Sequence, residues 1–232
     1  MMAGGVVGGG TGGRSPKVAT HGALTYAHAV ELWGRDAVTA ALREGRWVQP
    51  WSGVIVPAHR ARDPRARAGA ALLRAGPHSI LSGQTAAAMH GCTAADSSRL
   101  EVTIPYDRQM RSLPGLIVRQ AWVRERDVQW LDGLRVFALD VAVTELLCVG
   151  PQRVALACLE QALANLASEA GEAEQFRRVV AERLSRRPDR RGTRRAAGLL
   201  ELAWTRPPSA AALVDAAGRS EDTSSAELEE AS

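Results

Sequence analysis

Three residues at four-residue spacing, Arg35, Thr39 and Arg43, lie in the stretch GRDAVTAALREG. Positions four apart share one face of a helix, so two guanidinium groups and a hydroxyl would line up together. A helix fits the DNA major groove, and such a face can meet base edges or phosphates there. Arg46 opens the following run, RWVQPWSGVIVP, where it could grip a phosphate or reach a minor groove. Trp51 falls in the turn of that run; an exposed aromatic there has no core explanation, and it joins the candidate DNA contacts. The competing reading is that this small unit only packs on the rest, its arginines solvated.

A second concentration of charge comprises Arg177, Arg178, Arg183, Arg186, Arg187, Arg190, Arg191, Arg194 and Arg195. The segment RRPDRRGTRR is expected to be an exposed connection between two helices. Arg187, Arg190, Arg191, Arg194 and Arg195 are therefore candidates for binding a partner with an acidic surface, or phosphates. The alternative is a solvated loop balanced by Glu172, Glu174 and Glu182.

Catalytic chemistry finds little support. His21, His28, His59, His78 and His90 do not fall at metal-ligand spacing, so no metal and no cofactor is expected. Ser82 suits a helix cap better than a nucleophile, because no base can be named to orient it. His90 suits a helix carboxyl terminus, where a protonated imidazole would meet the dipole. Asp140 and Glu145 do not share a helix face as an acid/base pair would. Cys92, Cys148 and Cys158 lie in apolar surroundings without a C-x-x-C pair and read as reduced core thiols. An enzyme is not expected.

Several elements must position these groups. LTYAHAVELW has helical spacing from Leu24 to Trp33, with Thr25 or Leu24 near the start, and Gly34 breaks it. Asp36 is placed to cap a second helix over residues 37–44, which Gly45 ends. The runs RWVQ and GVIV around Pro50 to Gly53 read as a hairpin. Helix, turn, helix, hairpin is the order of a winged helix-turn-helix. Beyond it, Pro64 opens a helix, Ile80-Leu81 form a short buried run, and Ser82 precedes the helix GQTAAAMH. Strands are expected over residues 100–104, 116–119 and 134–137, the last after an Asp132-Gly133 turn. Helices follow over residues 140–148, 152–167, 172–184 and 194–204.

The composition fits this plan. The 232 residues are 46% hydrophobic but only 4% aromatic, so the core must be built largely of Ala, Leu and Val. Lys17 is the only lysine, and the net charge is +4. The acidic residues Asp215, Glu221, Asp222, Glu227, Glu229 and Glu230 fall in the last stretch and leave the body preceding it distinctly basic. No run approaches the ~18 apolar residues of a membrane span, and the Gly-rich start lacks a signal-peptide pattern. A cytoplasmic protein is expected. The fold class is α+β, with a winged helix followed by a small α/β part that has a short sheet and a helical carboxyl half. The expected boundaries are a disordered leader at 1–20, the winged helix at 21–60, the α/β domain at 61–206 and an acidic, disordered tail at 207–232.

Taken in order, several segments resemble an actinobacterial family. ALREGRWVQPWSGVIV is similar to its helix, G-R-W, hairpin and G-V-Y segment. HSILSGQTAAAMHG resembles its L-S-x-x-[ST]-A-A-x-x-H-G motif, and LEVTIP its V-T-V-P strand. PGLIVRQA, GLRVFALDVAVTELL and RRGTRRAAGLLELA resemble later blocks, so the likeness runs from Leu24 to Ala203. The family is that of AbiEi-type antitoxins of type IV toxin-antitoxin systems. The resemblance implies a winged helix that binds double-stranded DNA at its own promoter and represses its operon. It also implies an α/β domain that counteracts a nucleotidyltransferase toxin, with Arg35, Thr39, Arg43 and Arg46 on the DNA-binding element. Ile55 stands where the family has an aromatic, Ser82-Gly83-Gln84 where it often has S-H-R, and Leu147 where it has an acid. Many members carry a carboxy-terminal endonuclease-like domain of the very-short-patch-repair kind. The SSAELEEAS end is similar to its first residues, and hydrolysis by this polypeptide is not expected.

Overall fold

The computed structural model describes residues 21–167 and 171–205, and the expected leader and acidic tail lie outside them. Within these residues the chain is mixed α/β, with eight α-helices and two sheets.

The first sheet is small. Strand β1 (Leu24–Thr25) leads into α1 (Tyr26–Trp33) and α2 (Arg35–Arg43), and the hairpin of β2 (Trp47–Trp51) and β3 (Val54–Pro57) follows. The strand order is β1-β3-β2, antiparallel throughout. One open expectation is settled here and one is corrected. Leu24 does not begin the helix but pairs with Ile55, and the two are buried in one cluster with Ala29 and Val38. Of the two candidates for the start, Thr25 is the cap of α1, its hydroxyl accepting from the His28 N–H at 3.2 Å. Asp36 is not a cap either. Gly34 alone separates the helices, and Asp36 lies in the first turn of α2, where its carboxylate meets the positive end of the dipole. Pro50, which lacks an N–H, is tolerated because β2 is an edge strand whose register slips between Val48 and Trp51.

Helix α3 (Pro64–Ala75) starts at Asp63, whose carboxylate accepts the Arg65 N–H at 2.9 Å and the Arg60 guanidinium at 2.6 Å. Burial pushes the Asp63 pKa up, but these bonds outweigh it and hold the group below the usual carboxylate value. The helix is built of small residues on two faces. Ala66 and Ala70 pack under Val54 and Val56 of the hairpin, while Ala68, Ala71 and Ala75 pack under the second sheet. Without bulky side chains, one helix can lie close to both sheets.

The second sheet contains β4 (Ile80–Leu81), β5 (Leu100–Ile104), β6 (Leu116–Gln120), β7 (Val128–Leu131) and β8 (Leu134–Phe137) in the order β6-β5-β4-β8-β7. Strand β5 is buried along its whole length. It runs parallel to β6, and β4 runs parallel to β8; the other pairs are antiparallel. Sequence reading lacks β7. It pairs with β8 across the two-residue turn Asp132-Gly133, both at positive φ, which suits the primed turns of tight hairpins.

Helices α4 (Gly83–Met89), α5 (Leu139–Val149), α6 (Gln152–Leu166), α7 (Glu172–Arg186) and α8 (Thr193–Thr205) enclose the largest core, centred on Val143, Leu147, Leu159 and Val180. Cys92, Cys148 and Cys158 are buried in it and form no disulfide. A hydrogen bond with Cys92, together with burial, pushes the Cys158 thiol far up, so Cys158 does not read as a reactive thiolate.

Candidate nucleic-acid interface

Helix α2 divides cleanly. Val38 and Ala41 are buried, Val38 with Leu24 and Ile55 of the small sheet, and Arg35, Thr39 and Arg43 are exposed on the outer face. Neither Arg35 nor Arg43 forms an ion pair among the described residues. The Thr39 hydroxyl donates to the Arg35 carbonyl at 2.8 Å, so it can offer a ligand only its acceptor lone pairs unless that bond is exchanged. Arg46 is exposed but paired with Glu44 at 2.7 Å. Both side chains are more than half exposed, and a solvated pair of this kind is worth only ~0–1 kcal/mol, so a phosphate could displace the carboxylate.

Trp51 differs from its expected setting. It is half-buried and packs against the cores on both sides of α3, and its indole N–H donates to the Pro114 carbonyl at 3.0 Å. The core explanation missing from the sequence lies 63 residues away: the ring joins the hairpin to the connection before β6.

The arginine-rich stretch also separates into roles. Arg195 reaches from α8 to the last carbonyls of α5, donating to Leu147 at 2.9 Å and Gly150 at 2.9 Å. This side chain caps a helix, with its Nε and Nη2 engaged inside the fold. Arg187 donates to the Asp189 carbonyl at 3.1 Å, and Arg190 to the Ser185 carbonyl at 3.1 Å. Arg190 and Arg191 are exposed on the α7–α8 connection, and Arg194 is exposed in the first turn of α8. Arg183, grouped with these by sequence, instead bridges Asp127 and Asp140.

Residues 79–202 match the AbiEi antitoxin C-terminal domain. The chain belongs to the AbiEi antitoxin family. A solved structure described as the RV2827C protein from Mycobacterium tuberculosis shares the fold, with a TM-score of 0.51 at 19% identity over 84% of this chain and 75% of that one. No curated protein matches the chain.

The LSGQTAAAMHG segment of this AbiEi chain has a structural explanation. The Glu101 carboxylate, on β5, lies over Gly83 so closely that a Cβ there would sit 2.5 Å from Oε2. The Glu101 N–H donates to the Thr85 hydroxyl at 2.8 Å, and Ala86 and Ala87 are fully buried. Glu101 is paired with Arg119 at 3.1 Å. The two family departures at Ile55 and Leu147 are both buried apolar side chains.

His90 corrects another expectation. It lies at the end of α4, but its Nε2 is 2.9 Å from the Phe137 carbonyl, which requires an N–H there. Burial lowers its pKa below 6.5, outweighing the Phe137 carbonyl and the Asp140 carboxylate, which act in the opposite direction. The folded state therefore holds this proton less tightly than the unfolded one. The stability contributed by neutral His90 is present above the unfolded value of 6.5 and is lost as pH falls through the lower folded value. Resistance of the wild type to urea should weaken from roughly pH 7.5 to 5.5 more than that of His90→Gln, which keeps a donor but does not titrate. Equal pH slopes would remove His90 from the account.

Among the described residues no group of three or more His, Cys, Asp or Glu side chains could hold a metal ion, and no helix is long and apolar enough to cross a membrane.

Proposed function

We propose that this AbiEi-family chain is a DNA-binding regulator. In this reading its α1–α2–hairpin unit is a winged helix, with α2 in the major groove and the β2–β3 hairpin as the wing. The observation that carries it is the outer face of α2, where Arg35 and Arg43 are exposed and unpaired among the described residues while Val38 and Ala41 anchor the helix. Arg46 adds a phosphate contact by exchanging Glu44, and Thr39 packs beside the groove wall. Trp51 acts indirectly, by holding the hairpin on the body. The DNA is the chain's own promoter, and the antitoxin role is directed at a nucleotidyltransferase toxin, as the family resemblance implies. The exposed Arg190, Arg191 and Arg194 favour a second contact, with an acidic surface of a protein partner.

The test is binding of purified protein to a labelled duplex carrying its promoter, followed against salt. Arg35→Ala/Arg43→Ala should bind about tenfold more weakly, and the slope of log affinity against log salt should fall by about two. Arg190→Ala/Arg191→Ala should leave duplex affinity near the wild-type value. Unchanged affinity and slope in the α2 variant would reject the assignment of α2.

A further inference from the structure

The connection between the parallel strands β5 and β6 spans only residues 105–115 and contains no described helix. It folds back along the open edge of β6. Leu113 exchanges backbone hydrogen bonds with Leu116, the Val118 N–H donates to the Ser112 hydroxyl at 3.0 Å, and the Gln120 side chain donates to the Arg108 carbonyl. This path covers the edge strand and brings Tyr106, just past the end of β5, against Trp122, just past the end of β6. Their rings lie 5.4 Å apart and tilted by 54°.

Packing does not account for this pair. Trp122 is 86% exposed and Tyr106 51%, whereas the adjacent Val123 turns inward onto the sheet core. The stretch 106–126 carries five arginines against Asp107 and Glu125. Arg108 is occupied at the Pro77 carbonyl and Arg119 at Glu101, and Glu125 is paired with Arg135. Arg111, Arg124 and Arg126 are exposed and form no ion pair among the described residues. Arg124, with extended backbone, follows Trp122 by two residues.

We propose that Tyr106 and Trp122 form a stacking platform for unpaired nucleobases of a single-stranded nucleic acid, with Arg111, Arg124 and Arg126 holding its phosphates. Exposed rings can stack on bases of any sequence, and unpaired guanidinium groups complement a polyanion. The platform lies at the opposite end of β5 and β6 from the Trp51–Pro114 joint, roughly 15 Å along the strands. It is therefore a different surface from the outer face of α2, and a duplex on α2 does not test it.

The probe is a fluorescein-labelled oligothymidylate of about 15 nucleotides, with the same length of oligouridylate as a second arm. Both should bind at low salt and quench tryptophan emission. Trp122→Ala, at a position too exposed to affect folding, should weaken strand binding about tenfold and leave the melting temperature and promoter-duplex affinity unchanged. Arg35→Ala/Arg43→Ala should show the reverse pattern. A difference between the two arms would show that the sugar is also read. The proposal is overturned by wild-type strand affinity in Trp122→Ala, by no binding of either strand, or by a Trp122-dependent preference for oligoglutamate, which would assign the surface to an acidic protein.

Discussion

Gly192→Ala is expected to destabilise the protein by about 3 kcal/mol, from a positive-φ penalty of ~1–2 kcal/mol and an overpacking penalty of ~1–3 kcal/mol. Gly192 lies just before α8, at φ +75°, and a Cβ there would sit 2.0 Å from the Cys148 carbonyl oxygen. That atom is backbone in the last turn of α5, so the contact cannot be relieved by rotating a side chain. The same junction carries Arg195, whose bonds to the Leu147 and Gly150 carbonyls hold α5 and α8 together. Moving α8 away to admit the methyl group would loosen those bonds as well. For a chain of this size, 3 kcal/mol corresponds to a fall in melting temperature of about 10 °C. Gly171→Ala supplies the control: φ is +87° there too, but among the described residues nothing lies within 4 Å of the added Cβ. It should show only the backbone penalty. Equal urea midpoints for the two variants would mean that α8 shifts freely against α5.

The elements that were legible are those whose signal is internal to the segment. Residues 100–104 and 134–137 are strands as expected, because in each apolar residues recur at every second position: Leu100, Val102 and Ile104, and Leu134 and Val136. The helices of the carboxyl half carry their own apolar period, and Pro64 and the Asp132-Gly133 turn mark the chain locally. What was not legible depends on a distant partner. Leu24-Thr25 is a strand only because Val54-Ile55 offers an edge, and the two residues alone have no period. In β7, Gln129 and Trp130 are both exposed, so the alternation that identifies a half-buried strand is missing.

The candidate site shows the same limit more sharply. Arg35 and Arg43 were readable because helical spacing with Val38 and Ala41 fixes which side faces outward. Trp51 was not, because its hydrogen-bond acceptor belongs to residue 114. Nor could the arginines of the carboxyl half be told apart by residue type. Arg190 and Arg194 are exposed, whereas Arg195 caps a helix through carbonyls 45 and 48 residues away in sequence. Charge density in a sequence therefore overstates the free cationic surface.

Arg183 is the extreme case, and Arg183→Met is expected to destabilise the fold by about 3 kcal/mol, toward the lower end for an unpaired buried charge. Its guanidinium bridges Asp127, in the turn before β7, and Asp140, in the first turn of α5. The two carboxylates are only 16% and 17% exposed, and Arg183 itself 32%. Methionine preserves much of the stem but leaves two acids in a poorly hydrated site, where their mutual repulsion is no longer compensated. Asp140 keeps the favourable end of the α5 dipole, and Asp127 keeps its backbone place, accepting the Ala138 N–H through its carbonyl. Neither interaction replaces a guanidinium. The loss should therefore come from stranded charge more than from missing contacts. Adding Asp127→Asn and Asp140→Asn to Arg183→Met removes the charge while preserving shape, and urea midpoints should recover by at least half of the deficit. If the triple variant is as unstable as Arg183→Met alone, lost packing of the arginine stem between α5 and α7 explains the effect instead.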